Sequence, residues 1–594
     1  MNRQIRQLAL GLLACYVVLF VALNYWQVGR KEELDARFDN TRQVLREFNK
    51  ARGPIVTSDG IVAAVSSPSP PGSRYEYRRD YPTGDLLADI TGYFTFAFGS
   101  TQVERQYGDV LTGSSAEQQI RGLGELLTGG TGQTGTVELA VRHDAQEAAK
   151  FLLGGQTGSI TVIEPKTGAI RAMYSNPTFD PNTFVNADFA EAQDTITELQ
   201  NAPGSPLLAQ AYQERYMPGS TFKVITTGIA LENGGATLDT VFPDEREWVP
   251  PQTTDPIQNY NGSLCGGDLA TVFARSCNIP FAKLAILLGP EAMVAGTEAW
   301  GIGEPLPIDL PRPIASTFGN TDGLSQELPL LAIRGFGQSE VQMVPLHMAM
   351  VAATVANGGQ MMAPYAIEAT YDQEGRILDE TAPTVWKTPI SPQNAEIERQ
   401  LMIGVAERGT ASCCIALNGG IPVAAKTGTA QSSDNGKKSN NSWVISFAPY
   451  ENPKYAVCIM VQNGGSGGGV CGPLANLIYR GLFARDLNGI RLPVRPMARA
   501  VGNTDRIEKT IEVPAELIAA VEAGDTAPAP EAIAAAASEV VPGEEIAGET
   551  GEEVGPHTPV QPPPTTAIIP TPTITPEVDA EGIVIPRAVP VAEP

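Results

Sequence analysis

Ser220 and Lys223 stand three residues apart, where Pro218-Gly219 meets the apolar run Val224 to Leu231. The Pro-Gly pair predicts a turn that starts a helix, and on a helix this spacing puts both side chains on one face. A serine hydroxyl becomes a competent nucleophile only when a neighbouring base takes its proton. A neutral lysine amine can be that base, but bringing its pKa from about 10.4 to near 7 takes roughly 4–5 kcal/mol. Burial and a second cation both act in that direction. The spacing alone is a weak signal, because Ser-x-x-Lys also describes an ordinary helix start with an exposed lysine.

Two later stretches change that balance. Ser276-Cys277-Asn278 offers a hydroxyl that can relay a proton between Ser220, Lys223 and a leaving amine, and an amide that can hold a substrate amide. Lys426-Thr427-Gly428-Thr429 offers the second cation in Lys426 and, from Thr427 and Thr429, hydroxyls for a substrate carboxylate. If the strand carrying Lys426, Thr427, Gly428 and Thr429 lies beside the helix of Ser220, the backbone N–H groups of Ser220 and Thr429 are suited to an oxyanion hole.

Competing matches are weaker. Lys166-Thr167-Gly168 joins Ile160–Ile163 to Ala169–Met173 and reads as a hairpin turn. Ser433-Asp434-Asn435 falls in the polar stretch 432–441, expected to be a loop between strands. Gly464-Gly465-Ser466-Gly467-Gly468 has the form of a nucleophile elbow, but glycine runs match such patterns freely. With His143, His347 and His557 as the only histidines, a Ser-His-Asp triad is a poor reading. No His/Cys metal spacing appears, and neither a metal nor another cofactor is expected.

The elements that must hold these residues follow from local pattern. Trp443–Ala448 and Tyr455–Val461 flank a short turn and predict an antiparallel hairpin. With the Lys426 strand and the early hairpin around Lys166 they make a five-stranded sheet, with 346–357 and 474–483 as helices. Residues 53–155 read as short strands and turns, a small non-catalytic domain.

At 594 residues and 42% hydrophobic content the chain can hold more than one packed domain. Residues 8–28 are apolar and long enough to span a bilayer, with Arg3 and Arg6 before them. The positive-inside rule then places residues 1–7 in the cytoplasm and the rest outside, as a retained anchor rather than a cleaved signal. Cys265, Cys277, Cys413, Cys414, Cys458 and Cys471 would lie where disulfides form. Cys265–Cys277 is one reasonable pair, buried thiols are the alternative, and spacing does not decide. From residue 503 the chain has 17 acidic against 3 basic residues and no aromatics, contributing −14 of the total −25. Such a composition predicts disorder, and no basic stripe suggests nucleic acid.

Together these features resemble a class B penicillin-binding protein, a monofunctional peptidoglycan D,D-transpeptidase. The likeness runs from the anchor to about residue 490. It includes Arg52-Gly53-Pro54-Ile55, Tyr81-Pro82, Gly92-Tyr93, Gly99-Ser100 to Glu104, Gly335-Phe336-Gly337-Gln338, Ala356-Asn357-Gly358-Gly359 and Arg408-Gly409-Thr410-Ala411. The resemblance implies an α/β (α+β) penicillin-recognising fold, a five-stranded antiparallel sheet flanked by helices. It implies a β-rich pedestal or dimerisation-type domain at 29–156, a transpeptidase domain at 157–492 and the tail at 493–594. It further implies D-Ala–D-Ala stem peptides as substrates and β-lactams as covalent inhibitors. Residues 29–157 leave no room for a glycosyltransferase domain, so a membrane glycosyltransferase of the shape, elongation, division and sporulation family is the expected partner. No Glu-x-x-x-Asn lies between Asn278 and Lys426, which removes the usual deacylating base of class A β-lactamases. A D,D-carboxypeptidase or slow β-lactamase, or a non-enzymatic β-lactam sensor or scaffold, are the alternatives.

Overall fold

The computed structural model describes residues 2–25, 49–73, 75–96, 98–119, 134–416, 422–434, 437–486, 577–578 and 584–585. The end of the expected anchor, most of the charged stretch that follows it, and nearly all of the acidic tail lie outside these residues. The chain divides into two units, 1–527 and 528–594; in the second, Glu577–Val578 pairs antiparallel with Val584–Ile585.

The first unit is organised on a five-stranded, wholly antiparallel sheet, with strands in the order Ala424–Asp434, Lys437–Ala448, Tyr455–Val461, Gly158–Ile163 and Ile170–Asn176. Tyr455–Val461 is the middle strand, and each of its residues is buried. That is why it reads as an unbroken apolar run rather than an alternating one. Its register carries Lys426 opposite Ile445, Ile445 opposite Cys458, Cys458 opposite Thr161 and Thr161 opposite Met173. The helix Pro345–Ala356 packs on this sheet, and its residues 345–355 are all buried. The helices His143–Leu153 and Gly467–Asp486 also pack on it.

Local signals and outcome differ at one end of the sheet. Residues 432–434 and 437–441, expected as loop, extend the two edge strands, with Asp434 paired to Lys437. A polar edge ribbon needs no buried face, so hydropathy alone does not mark it. The closing helix begins at Gly467, seven residues before the first apolar turn that predicts it.

A second, six-stranded sheet runs in the order Ile377–Glu380, Ile367–Tyr371, Thr136–Leu139, Ile55–Val56, Val62–Pro68 and Tyr77–Asp80. Ile55–Val56 and Thr136–Leu139 run parallel. Two of its strands come from 367–380, so a boundary at 156 does not separate the two sheets along the chain. Beside it, buried Glu104 accepts from Arg52 Nε at 2.9 Å, Arg79 Nε at 2.6 Å and Tyr81 Oη at 3.2 Å. Burial raises the carboxyl pKa, but the two guanidinium groups outweigh it and hold Glu104 below the usual range.

Two long apolar helices have opposite environments. Asn2–Asn24 exposes its apolar side chains, with Leu8 and Phe20 each 68% accessible. Its length of about 35 Å matches a bilayer's hydrocarbon core. Ile279–Ala299 is similarly apolar but breaks at Gly289 (φ 79°, ψ 166°) before Pro290. Its Gly296 packs on the side chain of Ile229 and its Ala285 on Gly335, so it is a core helix behind the site rather than a membrane span.

Candidate active site

Ser220 lies in a 3₁₀ turn, Gly219–Phe222, which runs into the helix Lys223–Glu232. Two contacts from elsewhere in the chain and one bond of its own hold this turn. Gly219 donates its N–H to Gly337 O at 2.9 Å, Trp443 Nε1 donates to Met217 O at 2.9 Å, and Thr221 Oγ1 donates to Pro218 O at 2.8 Å. Gly219 has φ +54°, and a Cβ there would sit 2.7 Å from Thr429 O. Glycine therefore serves both the left-handed turn and the close approach of strand and helix.

Behind Ser220 two lysines are wholly buried. Lys223 Nζ donates to Ser276 O at 2.8 Å and Asn278 Oδ1 at 2.9 Å, with Ser276 Oγ at 3.4 Å. Lys426 Nζ donates to the same Ser276 Oγ at 2.8 Å and to Thr427 O at 3.0 Å. Phe281 and Phe273 place their rings 5.3 Å and 5.6 Å from the two nitrogens. Burial, then the Lys426 charge, pushes the pKa of Lys223 well below that of an ordinary lysine. Burial alone lowers Lys426 to about 7. Burial thus works against the charge that the sequence reading gives Lys426, and an anion bound beside it would favour that charge.

The structure thus brings Lys223, Ser276, Asn278 and Lys426 together directly. Among the described residues no hydrogen bond joins Lys223 to Ser220; the amine is engaged with the Ser-x-Asn stretch instead. Hydrogen bonds of this kind commonly tighten only when substrate is bound.

Ser276 itself has φ +59°, an uncommon backbone for a residue with a side chain. Its neighbours hold it there. Cys277 is disulfide-bonded to Cys265, and Asn259 Oδ1 accepts from Asn278 N at 2.8 Å and Ile279 N at 3.2 Å. Asn259 is buried and also donates to Glu245 O and Ser263 O. It acts as a remote cap for the helix that starts at Ile279. Nothing in local sequence pattern announces it. Cys413 and Cys414 form a second disulfide, while Cys458 and Cys471 are buried thiols.

On the strand side, Gly428 lies under the turn: a Cβ there would be 2.6 Å from Pro218 O. Thr429 O accepts from Gln338 Nε2 at 3.5 Å on the open edge of the sheet. In an antiparallel strand a residue's N–H and C=O point the same way, so the Thr429 N–H also faces that edge, toward the Ser220 turn. Thr427 Oγ1 meets Thr410 Oγ1 at 2.6 Å, and Thr429 Oγ1 accepts from Gly467 N at 3.2 Å. The arrangement offers a hydroxyl nucleophile, a poised amine, a relay hydroxyl and an edge of donors for an anion.

The competing motifs fall elsewhere. Lys166 Nζ is exposed on its hairpin, bonded to Asn452 Oδ1. Ser433 lies in the extended edge strand opposite Lys438. Ser466 Oγ accepts from Gly469 N at the start of the last helix. The glycine run around Ser466 has its own physical cause, since a Cβ on Gly467 would lie 2.2 Å from Gly428 O. His347 is buried between Ser316 Oγ and Trp300 O.

Comparison with known proteins gives this fold and site a class. Residues 158–480 match the penicillin binding protein transpeptidase domain, and residues 52–137 match the penicillin binding protein A dimerisation domain. The chain belongs to the penicillin-binding protein transpeptidase family. It is 33% identical over 489 residues to the peptidoglycan D,D-transpeptidase PbpA of Mycolicibacterium smegmatis, covering 80% of this chain and 97% of that one. The ceftriaxone acyl-enzyme complex of penicillin-binding protein A from M. tuberculosis superposes with a TM-score of 0.68 at 30% identity, covering 74% of this chain and 99% of that one. The penicillin G acyl-enzyme complex of the same relative gives a TM-score of 0.67 at 30% identity, covering 73% and 100%.

Proposed function

We propose that this protein is a peptidoglycan D,D-transpeptidase that cross-links stem peptides through an acyl-enzyme on Ser220 and is acylated there by β-lactams. The observation that carries this reading is the single Ser276 hydroxyl shared by two buried lysines beside the Ser220 turn. In the forward step Ser220 Oγ attacks the carbonyl carbon of the penultimate D-Ala, and its proton passes to the neutral amine of Lys223. The N–H groups of Ser220 and Thr429 stabilise the oxyanion. As the C–N bond breaks, the leaving D-Ala nitrogen takes a proton through Ser276. An amine from a neighbouring stem peptide then attacks the ester, gives up its proton to the same base, and Ser220 leaves reprotonated.

Lys426, Thr427 and Thr429 are proposed to hold the substrate carboxylate, with Gly428 giving the strand its close approach and Asn278 holding a backbone amide. An arriving carboxylate favours the charged form of Lys426, and that charge in turn favours the neutral form of Lys223. Substrate binding itself thus completes the proton arrangement that the reaction needs.

The exposed apolar helix Asn2–Asn24 supports a membrane anchor with a cytoplasmic N-terminus and an extracytoplasmic catalytic domain. In this reading 29–156 is a pedestal, 157–492 the transpeptidase domain and 493–594 an acidic tail. The glycan strands come from a membrane glycosyltransferase of the shape, elongation, division and sporulation family. The test is product analysis with a D-Ala–D-Ala stem peptide and a D-amino acid as acceptor. Exchange of the terminal residue for the acceptor is the expected result. Release of D-Ala to water alone would make the protein a carboxypeptidase.

A further inference from the structure

Thr410 stands at the edge of this site on the turn between the helix Pro392–Arg408 and the strand Ala424–Asp434. Backbone contacts fix its place from both sides. Its N–H donates to Ala274 O at 3.2 Å, two residues before Ser276. A Cβ on the preceding Gly409 would lie 2.3 Å from that same carbonyl, so the turn is packed as closely as glycine permits. On the other side, a Cβ on Gly468 would lie 2.4 Å from Thr410 O. The residue is exposed, and its hydroxyl meets the buried Thr427 hydroxyl at 2.6 Å.

A threonine hydroxyl has one proton, and whatever donates to its oxygen leaves that proton free to point elsewhere. At Thr429 the donor is unambiguous: an N–H cannot accept, so the contact from Gly467 N leaves the Thr429 proton for a ligand. At Thr427 the partner is another hydroxyl, and the sense of the bond decides whether Thr427 can donate outward. We propose that Thr410 is a positioning residue for carboxylate recognition, its hydroxyl donating to Thr427 Oγ1 and so turning the Thr427 proton toward the substrate carboxylate. This rests on the transpeptidase reading above. Thr410 and Gly467 N–H then play the same part for the two threonines of one strand, each supplying a donor from outside it.

The test uses the full-length protein and compares acylation by penicillin G with acylation by its methyl ester, which lacks the carboxylate's charge. Thr410→Val removes the hydroxyl at nearly constant shape, Thr410→Ala removes it with the methyl, and Thr410→Ser keeps it. The second-order acylation rate with penicillin G should fall about tenfold in the Val and Ala variants and stay within about twofold of the parent in the Ser variant. Acylation by the ester, slow in the parent, should not fall further in any of them. An equal loss with acid and ester would show that Thr410 only shapes the turn, and an undiminished rate in Thr410→Val would also overturn the proposal. Absence of acylation in the parent protein would instead refute the transpeptidase reading itself.

Discussion

Replacing each buried lysine by arginine separates a group that must lose its proton from one that must carry charge. Arginine stays protonated and has no acceptor, so Lys223→Arg removes the base outright. Loss of a general base lowers rate by about 10²–10⁴, or about 2.7–5.4 kcal/mol in the barrier. Lys223 is fully buried with its nitrogen held at 2.8 and 2.9 Å, so a guanidinium also overpacks the site. That overpacking lowers stability by about 1–3 kcal/mol, and rates are therefore to be compared on folded protein below each variant's transition. Lys426→Arg keeps a cation beside Ser276 and the proposed carboxylate site, and should retain measurable acylation.

The pH dependence gives the pair its signature. Lys426, with a pKa of about 7 in the free protein, is charged below that pH and neutral above it. Lys223, lowered by burial and by Lys426, must be neutral to act and gains competence as pH rises. The second-order rate of acylation reports free-enzyme groups, so the parent should show a bell whose alkaline limb comes from Lys426. In Lys426→Arg that limb should move upward or vanish. Stopped-flow acylation with a fluorescent penicillin reads both effects. If Lys223→Arg acylates as fast as Lys426→Arg, or faster, the division of roles is wrong.

Gly337 has φ +77°, and a Cβ there would lie 2.2 Å from Gly219 O; Gly337→Ala should displace the Ser220 turn and slow β-lactam acylation at least tenfold, while a rate within twofold would show that the turn has another support. Asp89 is raised from 3.8 to about 7 by burial, against hydrogen bonds from Ser175 and Thr178. The folded protein then holds a proton that the unfolded chain releases, so Asp89 penalises folding increasingly as pH rises from about 4 to about 7, by up to roughly 4 kcal/mol. Asp89→Asn should raise the melting temperature more at pH 8 than at pH 4.5, and an equal change at both would contradict the assignment.

Residue type and local spacing single out Ser220, Lys223, Ser276, Asn278 and Lys426 as candidates, because each side chain's chemistry is written in its own short stretch, and the structure brings the last four into hydrogen-bonded contact. Their partners were less visible. Thr410 and Gln338 lie in stretches that carry the family resemblance and Asn259 does not, but in all three the contact, with Thr427, Thr429 and Asn278, is made between residues apart in the chain, and single-sequence pattern carries no trace of such pairing. The pairing of the 367–380 strands with the N-terminal sheet is hidden for the same reason: partners far apart in the chain leave no local mark. Two features do carry a local mark. Asn435-Gly436 is a strong two-residue hairpin signature and marks the strand extension on either side. The glycine run 464–469 marks the close approach of the last helix to the Gly428 strand, a physical need that glycine alone meets.

The most direct test of the account is the identity of the acylated residue. The full-length protein, incubated with penicillin G, digested and mapped by mass spectrometry, should carry one penicilloyl adduct on the peptide containing Ser220, released slowly. Ser220→Ala should carry none. An adduct at Ser276, Ser433 or Ser466, or labelling that survives in Ser220→Ala, would contradict it.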